Sequence, residues 1–332
     1  MFRIGLIGCG EYCSHTHAQA LSKMEHVELR AISECIYPSE LARRQQQFCI
    51  PYAFLRYQDM LSSVELDAVV ISTPHALHFN QTKDCLKLGL HVLVDKPPAF
   101  RAEDIQALVD LANSKGCYFL VASQRRYDPL FRCLRERAHN GELGKLNYIE
   151  FHYGRSMSSD FATSWRNNPV LSGGGVLVDA AYHMIDSLLW VTNDHPLRVR
   201  GGLKKNETQV HTSASLTLEL MEDALVNISV HLEMPPNMVW EEIGFYGSKG
   251  TFLYQRTSLP DGIPSARLIE IRLGQHSCKD IQNNKEIDQA PVRNFISAIL
   301  DQEPVVSSGQ ESINTVRTIE WIYQELDKQS GE

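Results

Sequence analysis

Short apolar runs alternate with longer amphipathic segments along the first third of the chain. The short runs predict buried strands, and the segments whose apolar residues recur at helical spacing predict helices. Strands that alternate with helices in this way indicate a parallel, doubly wound α/β sheet. The predicted strands cover 2–8, 27–33, 67–73, 91–95 and 117–122. The predicted helices cover 11–24, 76–88 and 102–114.

This rhythm ends after residue 123. From 197 to 273, apolar residues recur at every second position, which indicates an antiparallel sheet with one covered face. The chain of 332 residues is long enough for two domains that each bury a core, and we place them at 1–123 (α/β) and 124–332 (α+β). The remaining predicted elements of the second domain are helices at 129–139, 175–190, 291–301 and 310–328, a strand at 146–153 and a polar loop at 155–172.

Composition excludes several classes of partner. The formal net charge is −8 and there is no basic run, which argues against nucleic acid. No apolar stretch approaches the roughly 20 residues of a membrane span. The first five residues already enter a strand, which leaves no room for a signal peptide. The eight cysteines form no Cys-x-x-Cys pair, so we expect free buried thiols and a reducing, cytoplasmic location.

The first candidate site is the turn Gly8-Cys9-Gly10, which joins the first strand to the first helix. Glycines at such a turn let the backbone approach a pyrophosphate, and the helix N-terminus supplies amide donors. The full fingerprint would place a third glycine at position 13, where this chain has Cys13. The turn therefore predicts dinucleotide binding, with a merely tight strand-to-helix turn as the alternative.

Glu34 ends the second predicted strand, at the place where an acid accepts hydrogen bonds from the adenosine ribose. A carboxylate there would repel a 2′-phosphate, which favours NAD over NADP. An exposed acid at a strand end is the alternative interpretation. Arg43 and Arg44 follow on a helix, where we expect them to be solvated.

Thr73 and Pro74 end the third long apolar run at the same edge of the sheet, on the path toward a nicotinamide. His75 and His78 follow at i, i+3, a spacing that suits a metal pair. Because no third ligand is evident nearby, we expect no metal site.

The chemical candidates are Lys96 and a later helix. Lys96 follows the buried strand 91–95, at the end where an open α/β sheet presents groups to ligands. On a helix, Asp179 and His183 share one stripe, and a carboxylate at that spacing suits a histidine held for proton transfer. An amphipathic helix with an ordinary polar face is the alternative, and a metal site from the same stripe is a further one.

Several motifs occur together along nearly the whole chain: Gly5–Gly10, Ser72-Thr73-Pro74 with His78, Asp95-Lys96-Pro97, Arg126 with Tyr127 and Pro129, and Gly173–Asp186. In these the sequence resembles the glucose–fructose oxidoreductase / inositol dehydrogenase family, often written Gfo/Idh/MocA. The family usually has Glu where Asp95 stands, and its Lys–Pro bond is often cis.

The resemblance implies an N-terminal dinucleotide-binding Rossmann domain and a C-terminal substrate domain. The open sheet of the second domain would make homodimer or homotetramer contacts. It implies hydride transfer between nicotinamide and a carbinol carbon of a sugar, cyclitol or related polyol. Expected catalytic residues are Lys96, Asp179 and His183, and either Lys96 or His183 would accept the proton.

The other expected site residues divide by ligand. Those for NAD are Gly8, Gly10, Glu11, Tyr12, Glu34, Ser72, Thr73, Pro74, His78, Asp95 and Lys96; those for the substrate are Arg126, Tyr153, Trp165 and Arg166. For Trp165 and Arg166, anchoring of their loop is an equal alternative. Two other functions are alternatives. A glycosidase or lyase that retains NAD and oxidises transiently would use the same trio, whereas the intact trio argues against a ligand-binding relative that has lost catalysis.

Overall fold

In a computed structural model, the described residues are 1–34, 38–156, 161–258, 265–272, 275–281 and 285–330. Positions 157–160 of the predicted loop, and positions 259–264 and 273 of the predicted strand region, lie outside them. The strands are β1 (Phe2–Ile7), β2 (Val27–Ser33), β3 (Tyr52–Phe54), β4 (Ala68–Ile71), β5 (His91–Val94), β6 (Phe119–Val121), β7 (Leu146–Arg155), β8 (Pro196–Lys204), β9 (Ser213–Leu220), β10 (Leu225–His231), β11 (Val239–Gly247), β12 (Gly250–Ser258), β13 (Ser265–Arg272) and β14 (Gln275–Ile281).

Helices account for most of the remaining regular structure. The α-helices are α1 (Glu11–Cys13), α2 (Gln19–Leu21), α3 (Pro38–Gln47), α4 (Tyr57–Ser63), α5 (His75–Lys87), α6 (Ala102–Lys115), α7 (Pro129–His139), α8 (Pro169–Ser172), α9 (Val176–Asp179), α10 (Ala181–Thr192), α11 (Ala290–Ile299) and α12 (Gly309–Ser330). A π-helical turn covers Ser14–Ala18, and 3₁₀ helices cover Gln124–Tyr127, Phe161–Thr163, Trp165–Asn167 and Lys285–Gln289. Among the helices of the described residues, none is long and apolar enough to cross a membrane.

The described residues form two compact units. The first consists of residues within 1–127 and 285–316, and the second of residues within 128–284 and 317–332. The segment 285–316 lies outside the predicted 1–123 domain along the chain, yet it packs with the first unit. Its helix α11 explains this, because Val292 and Phe295 are fully buried in the core of that unit.

The first unit contains a six-stranded sheet in the order β3-β2-β1-β4-β5-β6, and every pair in it is parallel. The predicted doubly wound sheet is therefore confirmed. Its central strands are almost wholly buried, as continuous apolar runs require when both faces are covered. The carboxyl ends of β1, β4 and β5 are neighbours at one edge of this sheet.

The predicted helix at 11–24 differs from the observed structure. A π-helical turn interrupts it between α1 and α2, and α2 ends at Leu21. The apolar spacing did not reveal this turn, because a single extra residue hardly changes the period over so short a segment. The short elements β3 and α4 were also not predicted, since three to seven residues carry little periodic signal.

The second unit contains an eight-stranded sheet in the order β14-β13-β12-β11-β7-β10-β9-β8. Of its pairs, β7 with β10 is parallel and the others are antiparallel. The expectation of a mostly antiparallel sheet is therefore confirmed. In β9 and β10 every second residue is buried, so one face of these strands is covered.

The core of the second unit lies on that covered face. Phe151 of β7 and Phe245 of β11 meet edge to face with ring centroids 5.8 Å apart. Tyr182 of α10 is fully buried as well. The predicted helix at 175–190 forms as two segments, α9 and α10, separated at Ala180.

Candidate active site

The turn after β1 has the geometry that its glycines predict. Gly8 has φ +81°, and a Cβ there would lie 2.6 Å from the Ser72 carbonyl oxygen. Gly10 precedes α1 and has no atom within 4 Å of the place where its Cβ would be. Gly8 is therefore required by packing, whereas Gly10 leaves open space beside the start of a helix.

Glu34 closes the other side of this turn. Its side chain is buried, and its Oε2 accepts a hydrogen bond from the Cys9 backbone N–H at 3.0 Å. The acid at the end of β2 is thus held against the glycine turn, rather than exposed as the alternative interpretation required. Its position matches the place of a ribose-binding carboxylate in this class of fold.

The expectation that Arg43 and Arg44 are solvated is wrong for Arg44. Arg44 is 2% exposed, and its Nη2 donates to Glu11 Oε1 at 2.7 Å. Arg43 also donates to that oxygen, at 2.8 Å. The hydrogen bond from Arg43 and the charge and hydrogen bond of Arg44 lower the pKa of Glu11. The helix α3 is therefore tied to α1 by charge, which its own sequence pattern did not indicate.

Tyr12 is the other predicted cofactor residue on α1. It is 38% exposed, and its ring meets the ring of His17 edge-on at 5.8 Å between centroids. It lies in α1, two residues after Gly10. Pro74, another predicted cofactor residue, directly precedes α5, as Gly10 directly precedes α1.

The ends of β4 and β5 bring several predicted residues together. Ser72 follows β4, Asp95 follows β5, and the Ser72 hydroxyl donates to Asp95 Oδ2. Lys96 comes next, and the Lys96–Pro97 peptide bond is cis, as the resemblance led us to expect.

His78 of α5 connects the same two strand ends. Its ring is fully buried, with Nδ1 2.8 Å from the Pro97 carbonyl oxygen and Nε2 2.8 Å from the Thr73 carbonyl oxygen. Burial lowers the pKa of His78, and the positive charge of Lys96 adds to this effect against the opposing influence of Asp95 and the two carbonyls. Both ring nitrogens are thus occupied by carbonyl groups, so His78 holds backbone and is unsuited to a metal pair with His75.

His17 was not among the predicted site residues. In the sequence it is one of the core-facing positions of the first helix, and its side chain is indeed fully buried. Its Nε2, however, lies 2.9 Å from Asp95 Oδ1, although the two residues are 78 positions apart. The available signal was a polar residue within an otherwise apolar helix stripe.

Asp95 consequently has two side-chain partners, His17 and Ser72. Burial by itself disfavours the charged carboxylate, but the charge and hydrogen bond of His17, with the Ser72 bond, outweigh it, so the pKa of Asp95 is lowered. Asp95 is therefore an ionised carboxylate at neutral pH.

Arg126, a predicted substrate residue, pairs with an acid of α12. Its side chain is 4% exposed, and Nη1 lies 3.0 Å from Glu311 Oε1 of α12. This pairing joins the 3₁₀ helix after β6 to the start of α12 within the first unit.

The second unit holds the other predicted residues. Asp179 ends α9; its Oδ2 lies 3.4 Å from Arg166 Nε and 3.8 Å from Arg155 Nη2. The Arg166 guanidinium lies 4.4 Å from the centre of the Trp165 ring. The structure thus brings Trp165, Arg166 and Asp179 together. It adds Arg155 at the end of β7, which the sequence analysis did not include.

His183 lies in the first turn of α10, so Asp179 and His183 belong to two helical segments instead of one continuous stripe. Its ring meets that of Tyr182 edge-on at 6.0 Å. Asp186 is buried. Tyr153 lies on β7 two residues beyond Phe151, on the covered face of the sheet.

The glycine run before α9 is required by close packing. Gly175 has φ +87°, and a Cβ there would overlap the backbone carbonyl of His211. The Val176 N–H donates to that same carbonyl at 2.8 Å. The run therefore lets α9 begin directly against the strand region that contains His211.

The first unit fits a dinucleotide. The open space at Gly10, the left-handed turn at Gly8 and the buried acid Glu34 match the requirements of a pyrophosphate and a ribose. Within the described parts of the chain, no group of three or more His, Cys, Asp or Glu side chains could hold a metal ion.

Known proteins with similar sequences extend this picture. Residues 2–123 match an oxidoreductase family with an NAD-binding Rossmann fold, and residues 131–253 match the C-terminal domain of the same family. Together the two matches cover more than half of the chain. The chain belongs to the Gfo/Idh/MocA family. The resemblance inferred from its motifs is confirmed.

Two members of the Gfo/Idh/MocA family illustrate the similarity. The rhizopine catabolism protein MocA of Rhizobium meliloti is 28% identical over 205 residues, which cover 61% of this chain and 61% of that protein. D-Glucoside 3-dehydrogenase of Escherichia coli (strain K12) is 28% identical over 194 residues, which cover 57% of this chain and 53% of that protein. The matches therefore span less than two thirds of the length of these relatives.

The fold is shared with solved structures of the family. The crystal structure of aldose–aldose oxidoreductase from Caulobacter crescentus, complexed with glycerol, has a TM-score of 0.82 and 20% sequence identity. The match covers 99% of this chain and 98% of that one.

Proposed function

We propose that this protein is an NAD-dependent oxidoreductase. It transfers a hydride between nicotinamide and a secondary alcohol of a sugar, cyclitol or related polyol. The observation that carries the proposal is the arrangement at one edge of the parallel sheet. The glycine turn after β1 and Lys96 after β5 lie there together, and ligands of this class of fold bind at the carboxyl ends of the strands.

Family membership and the names of the relatives support the substrate class. D-Glucoside 3-dehydrogenase is named for a sugar derivative, and the family is one of oxidoreductases. The same names give no support to an NAD-retaining glycosidase or to a non-catalytic binding protein.

The first unit supplies Lys96. Oxidation of an alcohol removes the carbinol hydrogen as a hydride and the hydroxyl hydrogen as a proton, and a C=O bond forms. A bound NAD would supply the hydride acceptor. The Lys96 ammonium donates a hydrogen bond to the oxygen as its negative charge develops, which lowers the barrier.

The second unit supplies the proton acceptor. The His183 imidazole takes the hydroxyl proton and returns it in the reverse direction. Asp179 orients the substrate through its carboxylate, and the Arg166 and Arg155 guanidinium groups hold that carboxylate in place. Trp165 gives the Arg166 guanidinium a flat surface to stack on.

NAD is the preferred cofactor in this proposal. Gly8 and Gly10 would accommodate the pyrophosphate, and Glu34 would accept from the ribose hydroxyls. A 2′-phosphate beside the buried carboxylate of Glu34 would place like charges together without water to screen them.

Turnover of a panel of sugars, cyclitols and polyols with NAD tests the proposal. We expect NADH formation with at least one member of the panel. In Lys96→Ala, we expect kcat on that substrate to fall by at least about 100-fold, because a donor to the developing oxyanion is lost. Lys23→Ala is the matched control, since Lys23 is exposed after α2, and its turnover should equal that of the wild type.

Three outcomes separate the alternatives. Undiminished turnover by Lys96→Ala on a confirmed substrate contradicts the role of Lys96. Cleavage of a glycosidic bond without accumulation of NADH favours the glycosidase. Thermal stabilisation of the wild type by panel members without any turnover favours the non-catalytic relative.

A further inference from the structure

The pair formed by His17 and Asp95 has no role in the reaction described so far. His17 is fully buried, and its Nε2 lies 2.9 Å from Asp95 Oδ1. Asp95 is the residue immediately before Lys96 in the chain. A buried polar side chain therefore contacts the direct neighbour of the proposed catalytic lysine.

The direction of the hydrogen bond within the pair follows from the charge of Asp95. The lowered pKa of Asp95 keeps its carboxylate ionised, so this group only accepts hydrogen bonds. His17 Nε2 must therefore carry a hydrogen and donate it. The other ring nitrogen, Nδ1, is buried and has no hydrogen-bond partner within the described residues.

The π-helical turn at Ser14–Ala18 is the local feature that contains His17. Such turns add one residue to the helical repeat, redirect the side chains within it and are frequent at functional sites. Aspartate at position 95 is one methylene shorter than the glutamate usual in the family. In this chain the acid at position 95 contacts a histidine on the π turn.

The segment around Lys96 is held on both sides. On one side, His17 and Ser72 donate to the two oxygens of Asp95. On the other side, the ring of His78 lies 2.8 Å from the Pro97 carbonyl oxygen. Lys96 is thus the one residue between two anchored neighbours.

We infer that His17 is a positioning residue of the proposed oxidoreductase. It fixes the Asp95 carboxylate, and through Asp95 it sets the place and the electrostatic environment of Lys96. The inference rests on the proposed function for the role of Lys96, but the contact with Asp95 does not depend on it.

Several titratable groups face Asp95 and would contribute to any pH dependence. His17, Tyr12 and Cys13 face it from the first helical segment, and the charge of Asp95 raises the pKa of Tyr12 and Cys13 in addition to the larger effects of burial and, for Cys13, of its bond to Cys9. His78 faces it from α5. Lys96 lies on the same segment. Of these groups, His17 shares a hydrogen bond with the carboxylate.

The first test needs no substrate. The rate at which an amine-directed reagent labels Lys96 is measured against pH by peptide mass spectrometry. The samples are the wild type, His17→Leu, Asp95→Asn and the double variant. Asp95→Asn removes a negative charge near the ammonium, so its labelling should begin at lower pH. His17→Leu removes the donor that holds Asp95 Oδ1, so its profile should differ from that of the wild type, and the double variant should match Asp95→Asn alone.

The second test uses a substrate confirmed in the panel. We expect His17→Leu to lower kcat on the order of tenfold, with the affinity for NAD unchanged, because a displaced catalytic group slows the chemical step. In the Lys96→Ala background the same substitution should have no further effect. His17→Gln keeps an N–H near the position of Nε2, so it should restore most of the activity.

His91→Leu is the control for a general loss of stability. His91 lies at the other end of β5, and its Nδ1 accepts from the Tyr118 N–H at 2.9 Å. It should leave the Lys96 labelling profile and kcat unchanged. The inference is overturned if folded His17→Leu labels at Lys96 as the wild type does, or if the effects of His17 and Asp95 substitutions simply add. Because labelling requires neither NAD nor substrate, failure of the proposed oxidoreductase function would be seen separately, as Lys96→Ala with full turnover.

Discussion

At the scale of a single residue, the hydrogen bonds and the charge of Asp95 depend on partners that are distant in sequence. In the chain it is merely the acid before Lys96, in a position where the family usually has glutamate. In the structure its two oxygens accept from His17 and from Ser72, which come from different elements. The residue type is thus matched to its neighbours, and neither neighbour lies within twenty positions of it.

Glu34 carries the prediction about the cofactor. In Glu34→Gln the amide oxygen still accepts from the Cys9 N–H, but the charge is removed. We expect the affinity for NAD to fall by about tenfold, because a hydrogen bond to a charged group is worth roughly 1.5–3 kcal/mol. The affinity for NADP should rise relative to NAD, since the repulsion of the 2′-phosphate is gone. Titration calorimetry with both nucleotides measures the two changes.

A matched substitution on the same strand separates charge from position. Glu28 of β2 pairs with Arg30 at 2.7 Å and lies six residues before Glu34. Glu28→Gln should bind both nucleotides as the wild type does. An unchanged ratio of NADP to NAD affinity in Glu34→Gln would contradict the assignment of Glu34 to the ribose.

At the scale of elements, the turn between β1 and α1 contains two glycines, and each needs to be glycine for a different physical reason. Gly8 has a left-handed φ and no room for a Cβ, whereas Gly10 has an extended conformation and open space. The sequence pattern treats them alike, because both belong to one glycine motif. Only the atoms packed around each glycine show that Gly8 is needed for folding, whereas Gly10 leaves space that a ligand would need.

This difference makes a paired prediction. Gly8→Ala should lower the free energy of unfolding by at least about 1 kcal/mol, because strain at positive φ is added to overlap with the Ser72 carbonyl. Gly10→Ala should leave that free energy nearly unchanged and weaken NAD on the order of tenfold, because its Cβ would occupy the space of the pyrophosphate. Urea denaturation and nucleotide titration of both variants provide the measurements. Full NAD affinity in Gly10→Ala would show that no phosphate lies at this glycine.

At the scale of the whole molecule, the eight-stranded sheet has a conspicuous apolar surface. Four exposed apolar side chains lie on one face of this sheet: Tyr148 of β7, Leu225 of β10, Trp240 of β11 and Ile271 of β13. Tyr148 is paired with Leu225 and with Tyr246, Tyr246 is paired with Thr251, and Thr251 is paired with Ile271. Trp240 is an even number of residues from Tyr246 on β11 and therefore lies on the same face. All four are at least 36% exposed. Exposed apolar residues gathered on one face favour an interface, and the family resemblance predicts homodimers or homotetramers through this sheet.

The prediction for assembly uses this face. Ile271→Glu and Trp240→Glu each place a charge among apolar side chains, so either should shift the protein toward monomers at equal concentration. Light scattering coupled to size-exclusion chromatography measures the mass. Leu88→Glu is the control, because Leu88 is 60% exposed at the end of α5 in the first unit. A mass unaffected by both Ile271→Glu and Trp240→Glu would exclude this face as the interface.

Much of the architecture was predictable because the spacing of apolar residues along short segments indicates helices and strands. Apolar runs and helical spacing depend on residues a few positions apart, so the parallel sheet, most of its helices and the mostly antiparallel second sheet follow from the chain alone. The family motifs follow as well, because each is a short run such as Asp95-Lys96-Pro97. Short elements such as β3 and the π-helical turn were beyond this signal, since they extend over too few residues to show a period.

The exposed thiols Cys49 and Cys278 belong with what the pattern missed. The cysteines of the described residues are free, as expected, but these two lie at the surface instead of in the core. Local spacing could not place them, because exposure depends on which other elements cover a position.

By itself the sequence determined the fold class, the family and the residues that stand at the strand ends. The tertiary structure decided which of those residues meet. Parallel strands bring their carboxyl ends side by side from distant parts of the chain, where Asp95 contacts His17 and Glu34 contacts Cys9. Burial of apolar side chains, in turn, places α11 in the core of the first unit. No local pattern encodes such contacts, because each joins two segments that are distant along the chain and meet only when the chain folds.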